Sequence, residues 1–429
     1  MKPPITVCLF PHQQPTGFCI RSRYVSVMKR STSVFLAVLL VFSLPTTTGI
    51  AANPSGGIDG ESDAIQQRQF QPQVTAPTEL ENTTNRLTVT GDVRNGYSKY
   101  KPDLAVELAS GDDELRIDHD QYAIVDSKFE SATTEEQREM IRAAYDRLQN
   151  RTDALEQRER KAVRAHAAGE LSSEALLQTL LRNHNAAGEL SESLRQLEAQ
   201  AKGVPGALSS TRADYKTFDY HRTPLRASLE RMAANPDNDY HNVVVTTSQN
   251  GYNISVMDGN RYILETARFD NRDTTQVDQF EEGEAYDYSK ELYPWASDRP
   301  YFQDNSPDHY WAEMDHEQGR LEFYFDSGTG DVYREVQEIS APSLPSTELG
   351  PWNGDGLNMT MNRTPTNGPV KVTITDQETG EPVSATVTYD GFEVGETGED
   401  GTLWVVPMLG TNVLEAKTET GVVNGTVTR

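Results

Sequence analysis

Ser172-Ser-Glu-Ala-Leu176-Leu-Gln-Thr-Leu180-Leu-Arg-Asn183-His-Asn-Ala-Ala187-Gly-Glu-Leu190-Ser-Glu-Ser-Leu194-Arg-Gln-Leu197-Glu-Ala-Gln-Ala201 is the stretch whose pattern decides the fold. Leu176, Leu180, Asn183, Ala187, Leu190, Leu194, Leu197 and Ala201 recur in alternating steps of four and three, which sets one seam along one helix face, as in a coiled coil. Ser172 is a natural N-cap, and Leu171 and Leu176 flank it as a hydrophobic staple. Upstream, Thr133-Thr-Glu-Glu136 reads as a capping box, and its helix runs to about Ala168 before Gly169 stops it. The seam of this first helix, Ile141, Ala144, Leu148, Leu155 and Ala162, is interrupted by Arg151 and Arg158 on the same face. A helical hairpin over 133–203 follows, each arm roughly 45–50 Å long. Ala-Ala-Gly-Glu-Leu-Ser occurs at 167–172 and again at 186–191, which leaves a break at Gly188 open although the leucine seam runs through it. Asn183 either fixes register or is a plain polar defect. The leucines outnumber what the first helix offers, so something must cover them: the preceding segment, the following domain, or another protein chain such as a second copy.

Beyond Gly203-Val-Pro-Gly, Thr223-Pro224-Leu225 opens a short helix with Leu225, Leu229 and Met232 on one face. From Tyr240 the pattern turns to strands with Asn250-Gly251 and Asp258-Gly259 turns, then an acidic loop containing Tyr293-Pro294-Trp295. Further strands lie around Tyr310–Met314, Leu321–Phe325 and Val332–Val336. These predict an α+β domain with an antiparallel sheet over 222–340. Ala341-Pro-Ser-Leu-Pro-Ser-Thr347 begins an expected linker over 341–367. The last segment, 368–429, alternates: Val370, Val372 and Ile374 on one face, and Val383, Ala385, Val387 and Tyr389 on another, with Leu403–Val406 as a buried strand. It reads as a β-sandwich. Ahead of the hairpin, a strand at 86–90 suggests a small β-containing cap over 81–131. The fold class expected is multidomain α+β: hairpin, α+β domain, C-terminal sandwich.

The N-terminal region speaks for location. Met28-Lys29-Arg30, an apolar run Val34–Leu44, and small residues ending in Ala51-Ala52 form a secretory signal peptide over 28–52, with cleavage after Ala51 or Ala52. The run is too short for a spanning helix, which needs about 20 apolar residues; an uncleaved membrane anchor is the alternative. Met28 then reads as the start and 1–27 as an upstream extension that holds both cysteines, Cys8 and Cys19. Without them the remainder has neither disulfides nor thiolate chemistry. Residues 53–80, rich in Gln and Gly, read as a disordered tether.

The chain has 39 Lys+Arg against 65 Asp+Glu, a net charge of −26. Its first 51 residues hold five bases and no acid, which leaves about −31 on the rest. Only 11 of the bases are lysine. Such a surface is hydrated and soluble where salt screens it, and it disfavours nucleic acid and anionic lipid.

Three resemblances attach to particular residues. Thr373-Ile-Thr-Asp376, Thr379-Gly-Glu-Pro-Val383 and Gly398-Glu-Asp400-Gly401-Thr402 resemble the carboxypeptidase regulatory-like (transthyretin-type) sandwiches, which implies a non-catalytic appendage over about a seventh of the chain. Gly169-Glu-Leu-Ser172, Tyr262-Ile-Leu-Glu-Thr-Ala-Arg268 and Leu292-Tyr-Pro-Trp295 resemble haloarchaeal secreted proteins of unknown function, a match in keeping with the lysine-poor acidity. Phe323-Tyr-Phe-Asp-Ser-Gly-Thr-Gly330-Asp-Val-Tyr333 resembles the strand–turn–strand of PepSY modules, which implies peptidase inhibition or regulation.

No Gly-x-Ser-x-Gly elbow, His-Glu-x-x-His pair, phosphate loop or dinucleotide fingerprint is present, and no cofactor is expected. His309 and His316 beside Asp308, Asp315 and Glu317 are weighed as an acid–base or metal cluster, against scattered surface residues. Asn235-Pro-Asp237-Asn-Asp239, and Asp326 with Asp331, are weighed as Ca²⁺ sites against solvated turns. Tyr293, Trp295, Tyr301, Phe302, Tyr310 and Trp311 form either an aromatic core or a glycan or peptide surface. Sequons stand at Asn82, Asn150, Asn253, Asn358, Asn362 and Asn424. The function expected is a secreted or envelope contact protein; the alternative is a hydrolase or peptidase regulator built on 240–340.

Overall fold

Where the sequence suggests a small cap, the computed structural model has a strand and a helix. Residues 87–90 form no strand; β1 is Arg94–Tyr100, paired antiparallel with β2 (His241–Ser248) from Arg94 against Thr247 to Tyr100 against His241. Tyr97 and Tyr100 lie three residues apart, so each face of the strand buries one ring. α1 (Leu104–Gln121) follows. It buries Val106 and Ile117 while Leu104, Leu108 and Leu115 stay exposed, so it lacks the single apolar stripe that periodicity detects. The described residues are 87–100, 104–121, 128–233, 241–365 and 368–428. All belong to one compact unit, Ile65–Arg429; the other unit, Met1–Ala64, lies outside them, as do the expected signal peptide, the tether and Asn82.

The hairpin consists of α2 (Thr134–Ala167) and α3 (Ser173–Ala201). Thr133 accepts from the Glu136 amide, and the Glu136 carboxylate accepts from the Thr133 amide at 2.8 Å, closing the capping box. Ser172 caps α3, which runs unbroken through Gly188. Leu190, Leu194 and Leu197 pack with Ile141, Leu148 and Leu155, joined by Ile117 of α1 and by Phe218. Leu176 and Leu180 turn instead to the sheet. The seam is therefore covered within the chain. The arginines that interrupt it have partners on α1: Arg151 donates to Asp120 at 2.7 Å, and Arg158 to Asp113 at 3.0 Å. Asn183 is fully buried, donates to Leu155 O at 2.8 Å and accepts from Arg158. It is a satisfied polar tie between the arms.

After α4 (Arg212–Tyr220) and α5 (Pro224–Ala233), the chain enters an eight-stranded antiparallel sheet. Its strands are β1, β2, β3 (Gly251–Asp258), β4 (Arg261–Arg268), β5 (Tyr301–Asn305), β6 (His309–His316), β7 (Gly319–Asp326) and β8 (Val332–Ser340). Their order is β1-β2-β3-β4-β8-β7-β6-β5. The expected acidic loop contains a helix, α6 (Glu284–Leu292), which buries Ala285 and Leu292. One face of the sheet, with Val243, Val245, Ile254, Val256 and Ile263, carries the hairpin and α5. The other face is covered in two halves: Leu321, Phe323 and Phe325 lie in the core that α6 joins, and Tyr97, Val244, Tyr262, Leu264 and Ile339 pack on the C-terminal sandwich.

The expected linker over 341–367 is a correction. It holds β9 (Thr347–Gly354) and β10 (Leu357–Arg363), since Leu357, Met359 and Met361 alternate with polar residues and fill the sandwich core. Ala341 and Leu344 are buried there too. With β11 (Val370–Asp376), β12 (Thr386–Tyr389), β13 (Phe392–Glu396), β14 (Thr402–Val405), β15 (Thr411–Lys417) and β16 (Val422–Thr428), two four-stranded sheets form, β14-β11-β10-β9 and β13-β12-β15-β16. Tyr97 of β1 locks the sandwich on: its hydroxyl donates to Val406 O, and its ring stacks on Phe392 at 5.2 Å.

Candidate functional site

Charged residues stand at the centre of the molecule, where apolar ones would be expected. Glu159 on α2, Arg226 on α5, Glu265 on β4 and Arg334 on β8 have essentially no solvent exposure. Register puts Arg334 beside Ala267 and Glu265 beside Val336 on the hairpin-facing side of the sheet. Arg226 donates to Glu159 at 2.7 Å and to Glu265 at 3.1 Å. Arg334 pairs with Glu159 and, at 3.2 Å, with Glu265. The Tyr252 hydroxyl donates to Glu265 at 2.6 Å and to Glu159 at 3.0 Å, and Thr223 also donates to Glu265. Two carboxylates face two guanidiniums, so the cluster is neutral. Burial alone would raise the Glu159 carboxyl, but Arg226 and Arg334 hold it well below the usual carboxylate range.

A polar cleft of about 480 Å³ opens above this cluster. Its lining includes Gln149, Thr152, Asp153 and Glu156, one face of α2, which Glu159 continues downward. Asp214, Thr217 and Tyr220 come from α4, Asp308 from the β5–β6 turn, His309 from the start of β6, and Tyr333 from β8. Arg272 ties it together, reaching Glu156 at 3.1 Å and Asp308 at 3.0 Å. His221 separates cleft from cluster: its Nδ1 lies 3.4 Å from Glu159, and burial keeps its pKa lowered.

The expected histidine cluster is not assembled. His309 and His316 stand at opposite ends of β6 and, an odd number of residues apart, on opposite faces. His309 is buried, with Nδ1 2.7 Å from the Asp308 carboxylate and Nε2 3.2 Å from the Asn305 amide nitrogen. That network assigns the proton to Nδ1 and occupies the Nε2 lone pair, leaving no free base. Asp308 is held well below its ordinary value: burial opposes this, while His309 and Arg272 overcome it. Asp326 caps its own turn, accepting from the Gly328 and Thr329 amides at 3.0 and 2.8 Å, while Asp331 is exposed. Among the described residues, no group of three or more His, Asp or Glu has metal-holding geometry; 235–239 lie outside them.

The aromatic set divides between the sheet's faces. Tyr293, Trp295, Phe302 and Tyr310 join the core beside α6, with Tyr293 4.6 Å from the Phe323 ring. Trp311 lies on the other face under Lys216 at 3.6 Å, and Tyr301 beside it is 76% exposed. Among the sequons, Asn150 and Asn424 are exposed, and Asn358 and Asn362 are half-buried. Asn253 is buried and donates to Thr266 at 2.8 Å, so the folded chain does not present it.

Sequence reading missed Glu159, His221, Arg226, Glu265, Arg272 and Arg334. Two carried a signal: Glu265 is the lone charge inside Tyr262-Ile-Leu-Glu-Thr-Ala, and Arg334 sits with Glu335 inside the otherwise apolar Val332-Tyr-Arg-Glu-Val.

No helix among the described residues is long and apolar enough to cross a membrane. No curated protein and no solved structure matches the chain. Three family models do. Residues 28–238 match a domain of unknown function (DUF7096), 243–345 a family of unknown function (DUF7094), and 350–425 an archaeal fibronectin-III type-like domain, so the chain is similar to multidomain archaeal proteins ending in a β-sandwich.

Proposed function

We propose that this is a secreted or cell-surface, salt-adapted modular protein without catalytic activity, acting through contacts with other proteins or with the cell surface. The observation that carries the reading is the state of its central polar groups. Glu159, Glu265, Arg226 and Arg334 neutralise one another out of solvent, and His309, the best placed base, has both ring nitrogens engaged. Groups bound in this way hold a fold together and have no proton to move in a substrate. The C-terminal fibronectin-type match, the acidic surface and the signal-like segment at 28–52 support an extracellular setting. Asn150 and Asn424 are the sequons we assign to glycans.

The alternative, a hydrolase or PepSY-like peptidase regulator, rests on the cleft, where chemistry would fall to Asp308 and His309. A panel of peptide, ester and glycoside substrates, followed in molar salt, decides between them. The expected result is no turnover by the wild type. Turnover that disappears in His309→Gln would overturn the non-catalytic reading. Surface digestion of intact cells should release peptides from 87–428; their recovery only after lysis would overturn the location.

A further inference from the structure

We propose that the cleft between α2, α4 and the β5–β6 turn binds an organic cation, the guanidinium or ammonium head of a basic peptide side chain, through Asp153 and Asp214. The inference rests on the contact-module reading and names the chemistry by which a partner would engage it.

Internal pairing leaves a specific remainder in this cleft. Glu156 is bound to Arg160 and Arg272, and Asp308 to Arg272 and His309. Asp153 is exposed and has no basic partner among the described residues. Asp214 accepts only from neutral groups, the Tyr145 hydroxyl at 2.7 Å among them, and burial raises its pKa, the mark of a carboxylate lacking a cation. At the floor, Tyr220 and Tyr333 are 5% and 3% exposed, and both line the cleft with hydroxyls that meet no hydrogen-bond partner among the described residues. Arg272 Nε is also buried and unpartnered. The two hydroxyls are open to a ligand in the cleft, whereas Arg272 Nε is enclosed.

The remainder selects the ligand. Two acceptor anions call for a cationic donor; the two hydroxyls can donate to carbonyl acceptors behind it. A basic side chain with its flanking amides supplies both. A sugar would need an open aromatic face, but guanidiniums lie over both rings, Arg334 3.5 Å from Tyr220 and Arg272 5.0 Å from Tyr333. The volume, about 480 Å³, falls within the roughly 300–1,000 Å³ of ligand clefts.

The test is calorimetric titration of the full chain with Nα-acetyl-L-arginine N-methylamide in molar salt, where screening over about 3 Å suppresses general attraction to the acidic surface. Saturable binding at one site is expected, with Asp153→Asn and Asp214→Asn each weakening it by about tenfold. The citrulline analogue should bind at least as poorly. Absence of binding, equal affinity in the double variant, or equal loss in the remote control Glu393→Gln would each overturn the proposal. Asp153 is exposed, so Asp153→Asn keeps the test valid if Asp214→Asn fails to fold. Cleavage of the probe with affinity retained would support the site while overturning the non-catalytic reading.

Discussion

Replacing Glu159 with leucine takes one anion from a cluster of two carboxylates and two guanidiniums. Arg226 and Arg334 are then left with Glu265 alone, and Tyr252 loses one of its two carboxylate acceptors. Breaking a buried pair by removing one partner costs about 3–5 kcal/mol, since an uncompensated charge stays behind. Arg226→Met should cost a similar amount, stranding two carboxylates on Arg334. The double variant restores balance, one Glu265–Arg334 pair at 3.2 Å, so it should be no less stable than the worse single variant. The coupling energy in this cycle should therefore reach about 3 kcal/mol. Urea unfolding at fixed salt, followed by tryptophan fluorescence, measures all four corners. Costs that add to within about 0.5 kcal/mol, or a single cost below about 1 kcal/mol, would refute the reasoning. The pH dependence has a definite sign. Glu159 and Glu265 are held below their ordinary value of 4.5, so their contribution is full above that pH and is lost as pH falls through the lowered folded values. Glu159→Leu should flatten that acid limb.

His166 is buried between Thr247 and Ser173, and burial, with Arg94 adding to it, pushes its pKa from 6.5 to about 4. It must stay neutral in the fold, so stability should be full above pH 6.5 and fall between 6.5 and 4, a slope that His166→Gln should reduce in pH-dependent melts. Leu190→Asp with Leu194→Asp places two charges among residues at most 1% exposed and should unfold the chain; a stable variant of altered mass in sedimentation would mean the seam faces a second copy. Residues 243–345 expressed alone should show no cooperative melt, because β2 loses β1 and Arg334 loses Glu159. Thermal midpoints should rise from dilute buffer to molar salt as about −31 charges become screened; indifference to salt would remove salt adaptation from the account.

The hairpin was legible because its signals are local. A capping box, an N-cap serine and a four-three leucine spacing each act within a few residues; the caps form as read, and the leucine seam is divided, its C-terminal part packing on α2 and α1 and Leu176 and Leu180 on the sheet. α1 was not legible: it is held by long-range ion pairs, Asp113 to Arg158 and Arg182, and Asp120 to Arg151, which no window of sequence displays. The same pairs explain why Arg151 and Arg158 look like faults in a seam when read alone. β9 and β10 read as linker because Pro342, Pro345 and the polar stretch to Gly368 outweigh the alternation of Leu357, Met359 and Met361. The cleft was hidden for a related reason. Its residues come from α2, α4, the β5–β6 turn and β8, and only the fold brings Arg272 within 3.1 Å of both Glu156 and Asp308.

The boundary near residue 240, where one matched family ends and the next begins, runs through a single structure. β1 lies on one side of it and β2 on the other, yet they pair over seven residues. The buried cluster is divided in the same way: Glu159, His221 and Arg226 come from the first segment, and Tyr252, Glu265 and Arg334 from the second. Each half on its own would keep one pair, Glu159–Arg226 or Glu265–Arg334, but would lose the two pairs that cross the boundary, Arg226–Glu265 and Arg334–Glu159, together with the packing that keeps the cluster out of water. The cluster therefore makes each segment a condition for the other's fold. The sandwich stands differently. It closes its own two sheets and meets the rest through apolar contacts, the Tyr97 ring and hydroxyl, and Asn242 donating to Val394 O at 2.8 Å. No buried charge crosses that contact among the described residues, so it can loosen without stranding an ion. The cleft over the charge cluster lies on the opposite face of the sheet from this junction.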